Sequence, residues 1–235
     1  MLPFRERDFA LRMADFPVNL RLDGRPCVVI GGDEMVARKI AALLAAGARV
    51  TVIAPAITEG LVALAETHEI VHLARSPQPG DLRGAFLAVA ASDDPSVQRT
   101  VAAEAEAERV LLNVVDVARL CSFTFPAVHR QGAVTVAVSS GGASPGLARM
   151  IRDDLGRHVG PEHATLARIL GRVRRRLEPG PARRGVLRRL LASPLLEWLR
   201  QGRIEDIDAL LSEVGGDECS LAALGVGERE QRGQG

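Results

Sequence analysis

The chain has 235 residues, of which 47% are hydrophobic and 25% charged, and its formal net charge is +1. This composition is typical of a globular protein with a substantial core, and the near-zero charge argues against a dedicated nucleic-acid-binding protein. No apolar run reaches the roughly 20 residues of a membrane span, and the N-terminal stretch MLPFRERDFALRMADF has no apolar core of the signal-peptide kind. The three cysteines are far apart and form no zinc-binding or redox pair. We therefore expect reduced thiols in a cytoplasmic protein that binds neither nucleic acid nor a membrane.

Residues 26–114 alternate strand-like and helix-like segments. The strand-like runs read PCVVIG, RVTVIAP, EIVHLA, AFLAVAAS and VLLNVVD. The first helix is predicted to carry one apolar face and to end at Gly47; the face consists of Val36, Ile40, Leu43 and Leu44. The last helix of this region is predicted to begin with an aspartate N-cap in DDPS. Strands that alternate with crossover helices predict an α/β fold with a doubly wound parallel sheet.

The second half of the chain has a different pattern. Two strand-like runs, SFTFPAVH and GAVTVAVSS, are joined by RQG. They either extend the sheet or form a hairpin that mediates pairing between chains. From about residue 146 the chain is predicted to be helical, with Ser144 as N-cap and Pro145 as the first helical residue. Further helices are predicted at 161–177, 182–192, 194–201 and 204–214, and the Gly-rich end is predicted to be disordered.

The turn after the first strand resembles an imperfect dinucleotide-binding sequence. The pattern G-x-G-x-x-G is replaced by Gly31-Gly32-Asp33-Glu34-Met35-Val36. Either backbone N–H groups at the start of the helix hold a pyrophosphate, or the glycines form a turn that binds nothing. The acidic residue that NAD enzymes place after the second strand is also missing, since Ala54-Pro55 stands there. The spacing of the glycines and of the acidic residue therefore does not by itself support an ordinary dehydrogenase.

Two further segments are candidates for chemistry. Asn113 and Asp116 follow the fifth strand, at the sheet edge where open α/β folds bind ligands. Asp116 could be a general base, a cation ligand or a loop residue that caps a turn. The segment SSGGASP, residues 139–145, is either an anion-binding helix entry or a flexible one.

Basic residues are concentrated in the helical segment. Between residues 151 and 203 there are 13 arginines and five acidic residues. The arginines form either a solvated surface or a basic wall for a polyanionic ligand. All the basic residues except Lys39 are arginine. We interpret this bias as a general amino-acid preference of the source. The five histidines form no metal-ligand motif, so no metal site is predicted.

Taken together, these motifs resemble the precorrin-2 dehydrogenase/sirohydrochlorin ferrochelatase family, the N-terminal module of siroheme synthases. The matching segments, from about Phe16 to Arg176, are FPVNLRLDGRPCVVIGG, VARKIAALLAAGARVTVIAP, AASDDPSVQ, NVVD, SFTFPAV and VAVSSGGASPGLAR. The resemblance implies a homodimer that oxidises precorrin-2 to sirohydrochlorin with NAD and that in many members also inserts Fe²⁺ or Co²⁺. It divides the chain into an extension (1–15), a Rossmann-like NAD-binding domain (16–115), a dimerisation region (116–150), a small all-helical domain (151–214) and a disordered tail (215–235).

The resemblance also assigns site residues. Asp116 matches the aspartate proposed as general base for both reactions, and Ser140 matches a serine near the tetrapyrrole that is phosphorylated in one branch. The implied cofactor contacts are Gly31, Gly32, Asp33, Glu34, Met35, Pro55, Ala56, Ala91 and Ser92. The implied substrate contacts are Asn113, Ser139, Ser140, Gly141 and Gly142. A basic helical segment suits a macrocycle fringed with carboxylates.

This chain departs from the family pattern at the turn. The family reads G-G-G where this chain has Asp33, and Val36 replaces a small residue. We expect the turn to bind NAD, with Asp33 directed away from the pyrophosphate or towards a ribose hydroxyl. The alternatives are a chelatase with a degraded NAD site and a non-enzymatic nucleotide-sensing module.

Overall fold

The computed structural model describes residues 15–226, which form two compact units that divide between Phe125 and Pro126. Nearly all of the predicted extension, and residues 227–235 of the predicted tail, lie outside the described residues. The division comes later than the predicted boundary at 115/116. The reason is that Ser122 returns to the sheet, where its N–H donates to Leu112 O at 2.8 Å.

The first unit is a five-stranded parallel sheet with strand order β3-β2-β1-β4-β5, which confirms the doubly wound α/β fold. Its strands are β1 (Pro26–Ile30), β2 (Arg49–Ile53), β3 (Ile70–Leu73), β4 (Leu87–Ala90) and β5 (Leu111–Val114). Its helices are α1 (Glu34–Leu44), α2 (Glu59–Glu66) and α3 (Pro95–Glu108). Both faces of the sheet are covered. Cys27 and Val29 of β1 face the core of α1 and α2, whereas Val28 and Ile30 face the core of α3.

The ends of two helices test the predicted caps. Asp94 is the N-cap of α3 and accepts the Ser96 N–H at 2.7 Å, as predicted. The predicted end of α1 at Gly47 is wrong, because the helix ends at Leu44 with Ala45 as C-cap. Gly47, with φ +79°, instead makes the turn into β2, and its N–H donates to Leu44 O at 2.9 Å.

The connection between β3 and β4 is fixed by two carboxylates. Asp81 accepts two hydrogen bonds from the Arg75 guanidinium, at 2.8 and 2.6 Å, and one from the Gln78 N–H. The bond to Arg75 holds the pKa of Asp81 below its ordinary value, against the opposing effect of burial. Glu104 of α3 accepts the N–H groups of Gly80 and Leu82. A connection with little regular structure is therefore held firmly against the sheet.

The second unit begins with an antiparallel hairpin that forms its own two-stranded sheet. Of the two predicted arrangements, the hairpin is therefore the one that the structure shows. Its strands are β6 (Ala127–Gln131) and β7 (Val134–Val138). Helix α4 (Pro145–His158) follows, with Ser144 as N-cap and Pro145 as its first residue, as predicted. The predicted boundary at residue 150 therefore falls inside a helix.

The rest of the second unit is a small helical core. Its helices are α5 (Pro161–Arg176), α6 (Pro181–Leu191), α7 (Leu195–Gln201) and α8 (Ile204–Gly215). The prediction of a disordered tail from residue 215 is wrong for its first part. Cys219, Leu221 and Val226 are buried in this core, and the Leu221 N–H donates to Asp208 at 2.6 Å. Glycine-rich composition suggested disorder, but three apolar side chains there complete the core.

The three cysteines are free. Cys27 lies inside β1, where burial raises the pKa of its thiol to about 11. Cys219 is buried in the helical core, and burial raises the pKa of its thiol as well. Within residues 15–226, no helix combines the length and the apolar character that crossing a membrane requires.

Candidate active site

The turn between β1 and α1 is packed tightly between the ends of β2 and β4. Gly31 has φ +116°, and a Cβ there would lie 2.7 Å from Ala91 O. A Cβ on Gly32 would overlap the carbonyl oxygen of Ala56. Both positions therefore require glycine, which leaves a bare backbone at the start of a helix. This is the feature that a dinucleotide pyrophosphate uses in folds of this class.

Asp33 is the N-cap of α1. Its backbone is extended, and its Oδ1 accepts the Val36 N–H at 2.9 Å. The carboxylate is exposed, and its orientation is fixed by the helix that it caps. The Asp33 carboxylate accepts one of the N–H groups that a bound anion would otherwise use. The first two N–H groups of a helix have no intrahelical acceptors. The turn thus fits a pyrophosphate with one donor fewer than an all-glycine turn.

The other implied cofactor residues lie at the same edge of the sheet. Pro55 and Ala56 follow β2, and Ala91 and Ser92 follow β4, the two strands that flank β1. The Ala91 N–H donates to Ile30 O at 2.8 Å, so the segment after β4 lies against the end of β1. Glu34 and Met35, in the first turn of α1, are exposed. The structure therefore brings together all nine residues that the resemblance implies for the cofactor.

Asp116 lies just past the end of β5, at this same edge. It is exposed and has φ +59°, an unusual backbone conformation that aspartate tolerates better than most residues. The loop that holds it is closed on both sides. Val115 N–H donates to Ala90 O at 2.9 Å, and Leu112 N–H donates to Ser122 Oγ at 2.7 Å. A strained, exposed carboxylate on an anchored loop is available for chemistry.

Asn113, predicted to bind substrate, holds the Asp116 loop in place. Its side chain is buried, and its amide donates to Phe123 O at 3.1 Å. Cys121 adds to this anchor, because its sulfur accepts the Val114 N–H at 3.2 Å. Asn113 is therefore placed to shape the site through the loop.

The predicted serine and glycine contacts lie in the second unit. Ser140 Oγ donates to Ser144 O and accepts the Ser144 N–H, so this hydroxyl closes the loop before α4. Ser139 Oγ accepts the Gly141 N–H. Gly141 and Gly142 both have positive φ and are exposed. The segment is therefore a helix entry whose loop is closed by its own serine side chains.

Lys39 makes a contact near this edge of the sheet that the sequence did not predict. Its ammonium lies 4.3 Å from the centroid of the Phe125 ring, and that ring packs edge-on against Phe123. Partial burial lowers the pKa of Lys39, although the nearby Asp116 and Cys121 oppose the shift. In the sequence, the one feature that distinguishes Lys39 is that it is the only lysine of the chain.

Within the described part of the chain, no cluster of three or more histidine, cysteine, aspartate or glutamate side chains could hold a metal ion. Three histidines bind backbone carbonyls: His72 Nε2 lies 3.0 Å from Ala54 O, His129 Nε2 lies 3.0 Å from Val159 O, and His158 Nδ1 lies 3.0 Å from Asp154 O.

Comparison with known proteins matches two family models in succession. Residues 18–127 match a family described as "Putative NAD(P)-binding", and residues 131–158 match one described as "Sirohaem biosynthesis protein central". The solved structure of SirC, precorrin-2 dehydrogenase, is similar to this chain with a TM-score of 0.70 and 24% identity, over 83% of this chain and 98% of that one. At this identity the likeness establishes the fold.

Several curated proteins are similar to this chain in sequence. A siroheme synthase from Methylococcus capsulatus is 40% identical over 201 residues, covering 84% of this chain and 42% of that protein. One from Methylobacillus flagellatus is 39% identical over 176 residues, covering 73% and 38%. The chain thus spans less than half the length of these relatives. Together with the two consecutive family matches, this likeness confirms the resemblance read from the sequence motifs: the chain belongs to the siroheme synthase family and carries the segments that the two models describe.

Proposed function

We propose that the chain oxidises precorrin-2 to sirohydrochlorin with NAD. The observation that carries this proposal is the position of the Gly31-Gly32 turn and Asp116 at one edge of one sheet, separated by the end of β4. Ligands of open α/β sheets bind at that edge. The name of the structurally similar precorrin-2 dehydrogenase and the names of the siroheme synthase relatives support the same reaction.

The oxidation removes two hydrogens from the substrate, one as hydride and one as a proton. NAD, when bound, accepts the hydride. Backbone N–H groups of the turn would hold the pyrophosphate, and the side chain of Asp116 would take the proton. The exposed carboxylate suits this role, because a general base must come within hydrogen-bond reach of the proton that it removes.

The same carboxylate supports a second activity, insertion of Fe²⁺ or Co²⁺ into sirohydrochlorin as a substrate metal. Insertion of a divalent metal displaces two protons from the macrocycle; the exposed Asp116 carboxylate would take one, and the other would pass to solvent. The alternative of a chelatase with a degraded NAD site predicts this second activity without the first.

We further propose a homodimer. Helix α4 carries an apolar stripe, which consists of Leu147, Met150, Ile151 and Leu155, each 38–62% exposed. Residues at this spacing share one helix face, and a contiguous exposed apolar face is typical of an interface. We place the protein in the cytoplasm, because its three thiols are free.

One series of assays tests these proposals. Precorrin-2 is incubated with the protein with and without NAD, and absorbance is followed before and after Fe²⁺ or Co²⁺ is added. NAD-dependent formation of sirohydrochlorin is expected. Metal insertion without oxidation would support the chelatase alternative, and NAD binding without either reaction would support the nucleotide-sensing module.

The dimer is tested by sedimentation of Met150→Glu and Ile151→Glu, which should dissociate. Arg149→Glu introduces the same side chain outside the stripe and should not. If all three variants sediment with the same mass, whether as dimers or as monomers, this result would contradict an interface on α4.

A further inference from the structure

Asp116 lies at the third position of a tight turn that follows β5. Val114, the last residue of the strand, accepts the Val117 N–H at 3.2 Å through its carbonyl, which closes the turn around residues 115 and 116. Asp116 has φ +59°. A positive φ at this position is typical of turns that place glycine or asparagine there, and another residue keeps it only where its surroundings impose it. Contacts from outside the turn must therefore hold it.

The sulfur of Cys121 contacts both ends of this turn. It accepts the Val114 N–H at 3.2 Å, and it lies 3.2 Å from Val114 O and 3.4 Å from Val117 O. The one thiol hydrogen serves either carbonyl, because a thiol is a single, weak donor. β5 is an outer strand of the sheet, so within residues 15–226 no strand pairs with the groups of Val114 that face outward. The half-buried side chain of Cys121 takes the place of that strand.

Ser122, the next residue, makes equivalent contacts two residues earlier along the same strand. Its Oγ accepts the Leu112 N–H at 2.7 Å and lies 3.3 Å from Leu112 O. Of these two side chains, Cys121 alone also reaches the far side of Asp116, at Val117. The chain thus provides a matched pair, in which one side chain spans the Asp116 turn and the other secures the strand before it.

We propose that Cys121 is a positioning residue for Asp116: by holding Val114 and Val117, it keeps the turn closed and Asp116 at its positive φ. The backbone conformation sets the direction in which the carboxylate leaves the chain, and a base is effective only when it points at the proton that it removes. The inference rests on the proposed function, in which Asp116 takes that proton. Without the sulfur, the turn would open towards the negative φ that aspartate prefers, and the carboxylate would lose its fixed direction.

Three variants test the inference. Cys121→Ala removes the contacts, Cys121→Ser keeps a donor and an acceptor at the same position, and Ser122→Ala removes the equivalent contacts to Leu112. In Cys121→Ala, kcat should fall roughly tenfold or more while KM and NAD affinity stay within about twofold, because misplacement of a reacting group by about 1 Å can cost about 100-fold. Cys121→Ser should recover most of the lost kcat. Ser122→Ala should lower kcat less than Cys121→Ala does, even where its loss of unfolding free energy is as large.

Two measurements separate positioning from a general structural role. The first is a double-mutant cycle with Asp116→Asn. In that background, Cys121→Ala should lower the residual kcat less than about twofold, since residues that act through one another are not additive. The second is amide hydrogen exchange by NMR, which needs neither substrate nor cofactor. Cys121→Ala should speed exchange of the Val117 N–H roughly tenfold while the amides of β1 keep their wild-type rates, and Ser122→Ala should speed the Leu112 N–H and leave that of Val117 unchanged.

Three results would overturn the inference. One is a Cys121→Ala protein with the kcat of the wild type. Another is a fall in kcat that persists in full in the Asp116→Asn background, since Cys121 would then act independently of Asp116. The third is unchanged exchange of the Val117 N–H in Cys121→Ala, which refutes the hold on the turn whether or not the proposed oxidation is found. If Cys121→Ala does not fold, Cys121→Val, which fills the space without a hydrogen-bonding atom, takes its place in the same comparisons.

Discussion

Substitution of Asp33 separates its two roles, as a helix cap and as a charge beside the cofactor. The structure shows Oδ1 of Asp33 on the Val36 N–H at 2.9 Å. Asparagine caps a helix about as well as aspartate does, whereas alanine does not, and loss of such a cap costs about 1 kcal/mol. Asp33→Asn should therefore keep the free energy of unfolding of the wild type, and Asp33→Ala should lose about 1 kcal/mol of it.

The effect of the charge on NAD binding follows from Coulomb's law. Two unit charges about 4 Å apart interact by roughly 4 kcal/mol at an effective dielectric constant of 20 and by roughly 1 kcal/mol in bulk water. Asp33 is exposed and fixed by its own helix, so the lower figure applies. We expect both variants to bind NAD more tightly than the wild type, but by less than about tenfold, which corresponds to roughly 1.4 kcal/mol.

Calorimetry of NAD binding and urea denaturation of the three proteins measure the two effects independently. Asp33→Gly completes the set, because it restores the glycine of the family pattern. No binding by the wild type at millimolar NAD, together with tight binding by Asp33→Gly, would refute the reasoning. The chain would then fit a chelatase with a disabled cofactor site.

Three further predictions concern other parts of the molecule. Asp116→Asn should keep the fold and NAD affinity but lower turnover roughly 100-fold or more, the usual scale for a lost general base; near-wild-type oxidation would remove Asp116 from the mechanism. Because the pKa of Asp81 is lowered in the folded state, its pairing with Arg75 should stabilise the protein above the unfolded value of about 3.9 and lose that effect as pH falls further. Urea denaturation should therefore show Asp81→Asn destabilised at pH 7 and nearer to wild type at pH 3, and an equal deficit at both values would contradict the linkage. Sirohydrochlorin binding, measured by absorbance titration, should weaken as salt rises if the arginines of residues 146–203 contact its carboxylates, whereas salt-independent affinity would exclude them.

The sequence predicted most of the elements because local signals marked their ends. Helical patterns in the sequence placed α5 to α8 close to their true bounds. Asp94 and Ser144 were recognised as N-caps because capping depends on a few adjacent residues. The parallel sheet followed from the alternation of apolar runs and amphipathic segments.

Features that depend on contacts distant in sequence were not predictable in the same way. The anchoring of Asn113 by Phe123, and the approach of Lys39 to Phe125, require knowledge of which segments meet. The cap at Asp33 was not predicted either, because the glycine pattern of this turn indicates a cofactor contact at that position rather than an N-cap. The burial of Cys219 in the helical core was hidden by a composition rich in glycine.

The burial of one free thiol in each compact unit makes the two units separately observable. Cys27 lies in the strand at the centre of the parallel sheet, and Cys219 lies in the helical core. A thiol reagent attacks only the exposed thiolate, so each cysteine reacts when its own unit opens. Pulsed alkylation followed by peptide mass analysis would then give two opening rates from one unmodified protein. Comparison of those rates with and without NAD would reveal which unit the cofactor protects.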